Sequence, residues 1–107
     1  MDEREYERLA AAAFRRIGDL FEDVDPDLAD FESAGDVLRI DFADGQCVVI
    51  NTQRPTRQIW LAGGKSAWHF DHAAPSGRWL DSKDPQVELF AKLAELVAAH
   101  AGVTLAV

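Results

Sequence analysis

The sequence predicts an α+β fold: a two-layer α/β sandwich with two terminal helices packed on one face of a five- to six-stranded antiparallel sheet. Three observations carry this. Apolar residues recur at helical spacing near both ends of the chain. Between the ends the period changes to two, as in half-buried strands. The breaks between those strands are short and rich in Gly, Pro, Asn and Asp, which suits hairpins and hence antiparallel pairing. A length of 107 residues fits one domain, spanning 1–107, and 48% apolar residues can form a core.

The first helix is expected from about Glu3 to Asp23. Tyr6, Ala10, Ala13, Phe14, Ile17, Leu20, Phe21 and Val24 fall on one side of it. Gly18 in its interior costs about 1 kcal/mol relative to Ala. Asp25 precedes Pro26, and a residue before proline avoids the helical region, so the helix should end there. A polar connection follows, with one short edge strand near Asp30 to Ser33. Val37 to Phe42 then alternates, with Leu38, Ile40 and Phe42 inward. Asp44-Gly45 marks a tight hairpin into Gln46 to Asn51, where Val48 and Ile50 face inward.

Arg54-Pro55-Thr56 reads as a turn. Arg57 to Ala62 is a strand with Ile59 and Leu61 inward and Trp60 outward. Gly63-Gly64 is a further turn. Ala67 to Asp71 and Arg78 to Asp81 are two more strands. The last helix should be capped by Asp84, with Pro85 in its first turn. Val87, Phe90, Leu93, Ala94, Val97 and Ala101 form its stripe, and Gly102 suits its end. Val103 to Val107 are mostly apolar and should pack.

Charge is distributed unevenly. Up to Asp44 there are 14 of the 19 acidic residues and five Arg, a net −9, whereas the remaining 63 residues carry +1. An acidic chain lacks the basic stripe that nucleic acid requires, and it does not suit an anionic membrane. No apolar run approaches the roughly 18 residues of a membrane span. The N-terminal Met-Asp-Glu-Arg-Glu has no signal-like apolar segment, so a cytoplasmic protein is expected. Cys47 stands alone, which excludes an internal disulfide and a thiolate metal cage.

Asp19, Glu22 and Asp23 project opposite the apolar stripe, and Asp25, Asp27, Asp30 and Glu32 follow the helix end. Carboxylates without His or Cys suit hard cations in an open, weak and poorly selective site. On charge alone, a solvated helix face is the default reading. Arg15 and Arg16, one turn earlier, should pair with Asp19 and partly neutralise it. Trp60, outward on its strand among Asn51, Gln53 and Gln58, is a candidate docking anchor. The alternative is that a loop or strand covers it. His69 and His72 are three apart, so in a strand they face opposite sides and make a poor metal pair. His100 suits the negative end of its helix dipole. No phosphate loop, dinucleotide fingerprint or nucleophile elbow occurs, and no catalytic set is visible.

The run Asn51-Thr-Gln-Arg-Pro-Thr-Arg-Gln-Ile-Trp-Leu-Ala62 resembles the signature of the frataxins, in their bacterial branch. His69-Phe70-Asp71, Trp79 and Asp81, the acidic first helix and the closing helix extend the likeness over essentially the whole chain. The resemblance implies the frataxin fold, weak iron binding on an acidic ridge, and a role in iron–sulfur cluster assembly through the cysteine desulfurase. The cluster scaffold would be a second partner. It implies metal contacts at Asp19, Glu22, Asp23, Asp25, Asp30 and Glu32. Partner contacts would fall on Trp60, Asn51, Gln53 and Gln58, together with Glu22 and Asp23. A purely regulatory protein without an iron role is the alternative. A ferroxidase is disfavoured, because the helical Glu-x-x-His motif of such centres is missing. Gly18 stands where bacterial relatives often carry another carboxylate. The tail is short, and in this family it packs between the helices, which implies contacts at Val103, Leu105 and Val107.

Overall fold

A computed structural model describes residues 1–107. The element order is α1 (Glu3–Leu20), β1 (Ala29–Ala34), β2 (Val37–Phe42), β3 (Cys47–Gln53), a 3-10 turn (Arg54–Thr56), β4 (Gln58–Gly63), β5 (Ser66–Ala73), β6 (Arg78–Asp81) and α2 (Leu89–Ala101). The six strands form one antiparallel meander in the order β1-β2-β3-β4-β5-β6.

Period two decides which face is covered. Leu38, Ile40, Phe42, Val48, Ile50, Ile59, Leu61 and Phe70 are buried in one cluster with Tyr6, Ala10, Ala13 and Ile17 of α1 and Leu89, Phe90, Leu93 and Val97 of α2. Both helices therefore lie on the same side of the sheet. The alternate residues form an outer face that no element covers. The expected inward sets of β2, β3 and β4 are all found on the core side.

Several boundaries differ from the sequence expectation. The first helix ends at Leu20 rather than Asp23. After it, Phe21, Glu22 and Val24 donate back three residues, to Gly18, Asp19 and Phe21, so the chain tightens into turns. Phe21 still packs, stacked on Phe31 at 5.2 Å. The edge strand is longer than expected and joins β2 through Gly35 and Asp36. Gly35 has φ +60° and a side chain there would be strained. β5 likewise extends to Ser66 and Ala73.

Asp84 does not cap the last helix. Its carboxylate closes a local turn by accepting from Gln86 N–H at 3.0 Å. Val87 and Glu88 instead run alongside β6: Asp81 N–H donates to Val87 O, and Leu80 bridges Glu88. The Glu88 side chain then accepts from Phe90 and Ala91 N–H and caps α2. Leu89, absent from the expected stripe, is fully buried. Gly102 ends the helix with φ +65°, as anticipated. In the tail Leu105 is buried and Val103 packs half-buried against the core, as expected, whereas Val107 is exposed.

Three side chains tie separate segments together. The Tyr6 hydroxyl donates to Gln58 O at 2.7 Å and accepts from Gln53 N–H at 3.1 Å, so it sits between β3 and β4. Asp81, the one buried acid, accepts from the N–H groups of His69, Lys83 and Asp84. His100 Nδ1 lies 2.8 Å from Asp44 Oδ2, and its ring stacks on Phe42. This contact ties α2 to the β2–β3 hairpin, and its hydrogen bond holds the Asp44 carboxyl below its ordinary pKa.

Replacing Tyr6 by Phe should keep the ring packing but leave Gln53 N–H and Gln58 O without a partner. A loss of about 1–3 kcal/mol in urea unfolding, with an unchanged m-value, is expected. A loss below a few tenths of a kcal/mol would show that water replaces the hydroxyl.

Candidate functional site

The six acids of the expected ridge are all exposed, but the fold divides them into two groups. Asp19 lies in the last turn of α1, and Glu22, Asp23 and Asp25 lie on the turns that follow it. Asp30 and Glu32 point to the outer sheet face, because their neighbours Ala29 and Phe31 face the core. The ridge therefore wraps around the β1 edge of the molecule. None of the six forms an ion pair.

The expected pairing of Arg15 and Arg16 with Asp19 is not found. Arg16 lies over the Phe90 ring, 3.9 Å from its centroid, and neither arginine bridges a carboxylate. Tertiary packing outcompetes a helical i,i+3 pair worth only about 0.2–0.5 kcal/mol. Asp25 is partly engaged, since its Oδ1 accepts from Asp27 N–H at 2.9 Å. No three His, Cys, Asp or Glu side chains converge into a ligand set. The donor chemistry suits a hard cation, but the spacing suits an ion that keeps most of its water.

One acid that the sequence reading left aside belongs to the same surface. Asp41 stands opposite Asp30 across β1 and β2. Like charges directly opposite repel. Arg39, which faces Glu32 in the register, relieves this by bonding Asp41 through Nε and Nη2 at 2.9–3.1 Å. That bond holds the Asp41 carboxyl below its ordinary pKa. Strand alternation could have signalled it, because Arg39 and Asp41 are two apart on one face.

The outer face continues from the acids to the aromatic site. Asn51, Trp60 and His69 stand in one row across β3, β4 and β5, and Gln53, Gln58 and Asp71 in the next. No loop or strand covers Trp60. Its ring stacks on His69 with centroids 4.1 Å apart and planes 13° from parallel. Its indole N–H donates to Gln58 Oε1 at 2.9 Å, and Gln58 Nε2 donates to Asp71 Oδ1 at 3.0 Å. Asn51 Nδ2 donates to Thr52 O at 3.2 Å. Trp60 is thus held in one orientation, half-buried, with a ring face backed by His69. β1 and β4 are three strands apart, about 14 Å, so Trp60 and the Asp30–Glu32 row can meet one partner.

A family model for the frataxin-like domain matches residues 1–103. The chain belongs to the frataxin family. An iron-sulfur cluster assembly protein CyaY of Pseudomonas aeruginosa is 38% identical over 79 residues, covering 74% of this chain and 72% of that protein. A Vibrio cholerae protein of the same name is 34% identical over 101 residues, covering 94% and 93%. The solved structure of a frataxin from Psychromonas ingrahamii superposes with a TM-score of 0.88 at 26% identity, covering 98% of this chain and 96% of that one. The fold expected from the sequence is therefore the frataxin fold, in its six-stranded form. No helix is long and apolar enough to cross a membrane.

Within this family member the Arg39–Asp41 pair makes a testable local statement. A carboxyl with a lowered folded pKa contributes stability above its unfolded pKa and loses it as pH falls through the folded value. Arg39→Met should return the Asp41 titration, followed by side-chain NMR, toward its ordinary range. The gap in unfolding midpoint between the wild type and the variant should be full at neutral pH and close in acid. A gap that persists unchanged below the carboxylate range would mean that Arg39 stabilises by packing alone.

Proposed function

We propose that this chain is an iron-binding protein of iron–sulfur cluster assembly. In this reading it holds Fe(II) or Fe(III) weakly on the ridge of Asp19, Glu22, Asp23, Asp25, Asp30 and Glu32 and modulates the cysteine desulfurase complex. The observation that carries the reading is a run of six exposed carboxylates without a single ion pair, on a chain whose relatives bear the assembly-protein name. Unpaired carboxylates are available to a cation or to a basic surface. Iron here is cargo: it arrives, is shared among water and one or two carboxylates, and leaves. We read the ridge as a binding surface rather than an enzymatic centre, because its carboxylates are spread between the α1 end and the outer sheet face.

The second reading, a protein-interaction regulator with no iron role, is favoured by one feature. The carboxylates do not converge, so they are better spaced for several arginines or lysines of a partner than for one ion. Glu22 and Asp23 would supply charge, while Trp60, Asn51, Gln53 and Gln58 supply a neutral, pre-ordered contact for the desulfurase or the cluster scaffold. Such a complex would form in the cytoplasm, with neither nucleic acid nor membrane as partner.

Anaerobic titration with Fe(II), followed by NMR, should broaden the amides around Asp19, Glu22, Asp23 and Asp25 at sub-millimolar to millimolar metal. Spectra unchanged through that range would remove the iron role. With metal strictly chelated, desulfurase binding should weaken about tenfold between low and high salt. It should weaken comparably after Glu22→Gln with Asp23→Asn. Salt-insensitive binding would count against the acidic ridge as the docking surface.

A further inference from the structure

The two edges of the sheet are finished differently. At β6 the Val87–Glu88 segment runs alongside, accepting from Asp81 N–H and bridging Leu80. β1 has no such cover. Ala43 N–H donates to Leu28 O just beyond the strand end. Antiparallel alternation then commits the backbone groups of Asp30, Glu32 and Ala34 to β2 and turns those of Phe31 and Ser33 away from the sheet. The Ala29 N–H is already taken by Asp25 O. An edge with unpaired N–H and C=O groups is a template for one more strand.

Side chains on either side of that edge define what the strand would be. Inward, Phe31 and Ser33 form one wall of a groove of about 660 Å³ and Ala10, Phe14 and Gly18 of α1 the other, with charged side chains, Arg15 among them, also on its lining. Gly18 faces the Phe31 ring across the groove, where an added Cβ would lie 4.0 Å from the ring, an ordinary van der Waals contact. Outward, Asp30 and Glu32 remain without a cationic partner because Arg39 is spent on Asp41. An added strand would drop every second side chain into the groove and set the others beside the two acids.

We propose that the β1 edge is a strand-addition site for an extended segment of a partner protein in which basic and apolar residues alternate. Main-chain bonds to Phe31 and Ser33 supply the attachment. Apolar side chains fill the groove, and lysines or arginines pair with Asp30 and Glu32. A second copy of this chain is a poor occupant. Antiparallel pairing of two β1 edges would oppose two acidic rows on molecules that each carry a net charge of −8. The site shares Asp30 and Glu32 with the ridge proposed above but uses neither iron nor Trp60, so a metal-free peptide test reads it separately from that function.

The probe is a blocked peptide of about six residues alternating Lys and Val, a typical strand length. NMR titration should shift Phe31 and Ser33 and protect their amides from hydrogen exchange. Methylating the peptide nitrogens on its bonding edge, or replacing Lys by Glu, should each weaken binding at least about tenfold. Ser33→Pro removes a backbone donor that β2 does not use, so binding should be lost while the thermal midpoint stays near that of the wild type. The N-methylated peptide needs no protein variant and decides the matter if Ser33→Pro unfolds. Equal binding by the N-methylated peptide, shifts centred on Trp60, no binding at all, or β1-mediated dimers in sedimentation would each overturn the proposal.

Discussion

The Tyr6 hydroxyl is the contact on which the two layers depend for their mutual register. It is buried, and burial raises its pKa, which favours the protonated hydroxyl that can donate. By donating to Gln58 O and accepting from Gln53 N–H, it enters the β3–β4 ladder from the helix layer. The same Gln58 carries, on the opposite sheet face, the side chain that holds the Trp60 indole and reaches Asp71. Helix position, strand pairing and the orientation of an exposed aromatic are thus linked through one residue. Hydrophobic burial supplies the bulk of the stability, but it is non-directional. A hydrogen bond with two fixed partners is what selects one register.

The one-sided sheet is the second constraint. Because both helices cover one face, the other must be soluble without being covered. The chain solves this with short side chains, amides and charge rather than with a uniform polar surface. Val49, Ala62 and Ala67 sit near the middle, the acids near β1, and the amide–aromatic network over β3 to β5. Electrostatic reach and a rigid neutral contact therefore lie on one continuous surface. Charge accelerates encounter, and an ordered aromatic gives it a fixed end point. That division explains why acidity and Trp60 belong in one functional argument though they are far apart in sequence.

Local pattern revealed most of the architecture and part of the site. β2, the Asp44-Gly45 hairpin and the outward Trp60 all follow from alternation and turn chemistry, which act over a few residues. What failed depended on residues distant in the chain. Asp84 has every property of a helix cap, yet strand pairing of Val87 and Glu88 with β6 delays the helix and gives the cap to Glu88. Arg16 should favour Asp19 within the helix, but a ring on α2 competes for it. His100 read as a dipole charge, whereas its partner is Asp44, fifty-six positions earlier. The ridge acids were legible as a set, but their division between the α1 end and the outer sheet face needed the register of β1. Tyr6 read only as part of an apolar stripe, because periodicity reports the ring and is silent about the hydroxyl.

The C-terminal tail runs past the acidic turn: Val103, Thr104, Leu105 and Ala106 share a shallow crevice with Asp19, Asp23 and Asp25. The opposite end of the chain lies at the start of α1, whose 18 residues span about 27 Å at 1.5 Å per residue. The two termini are therefore not equivalent handles. A purification tag or fluorophore fused after Val107 would hang over the carboxylates, and a polyhistidine sequence there would bring its own imidazoles to them. Attached before Met1, the same group stands a helix length away and leaves the acidic turn to its natural visitors.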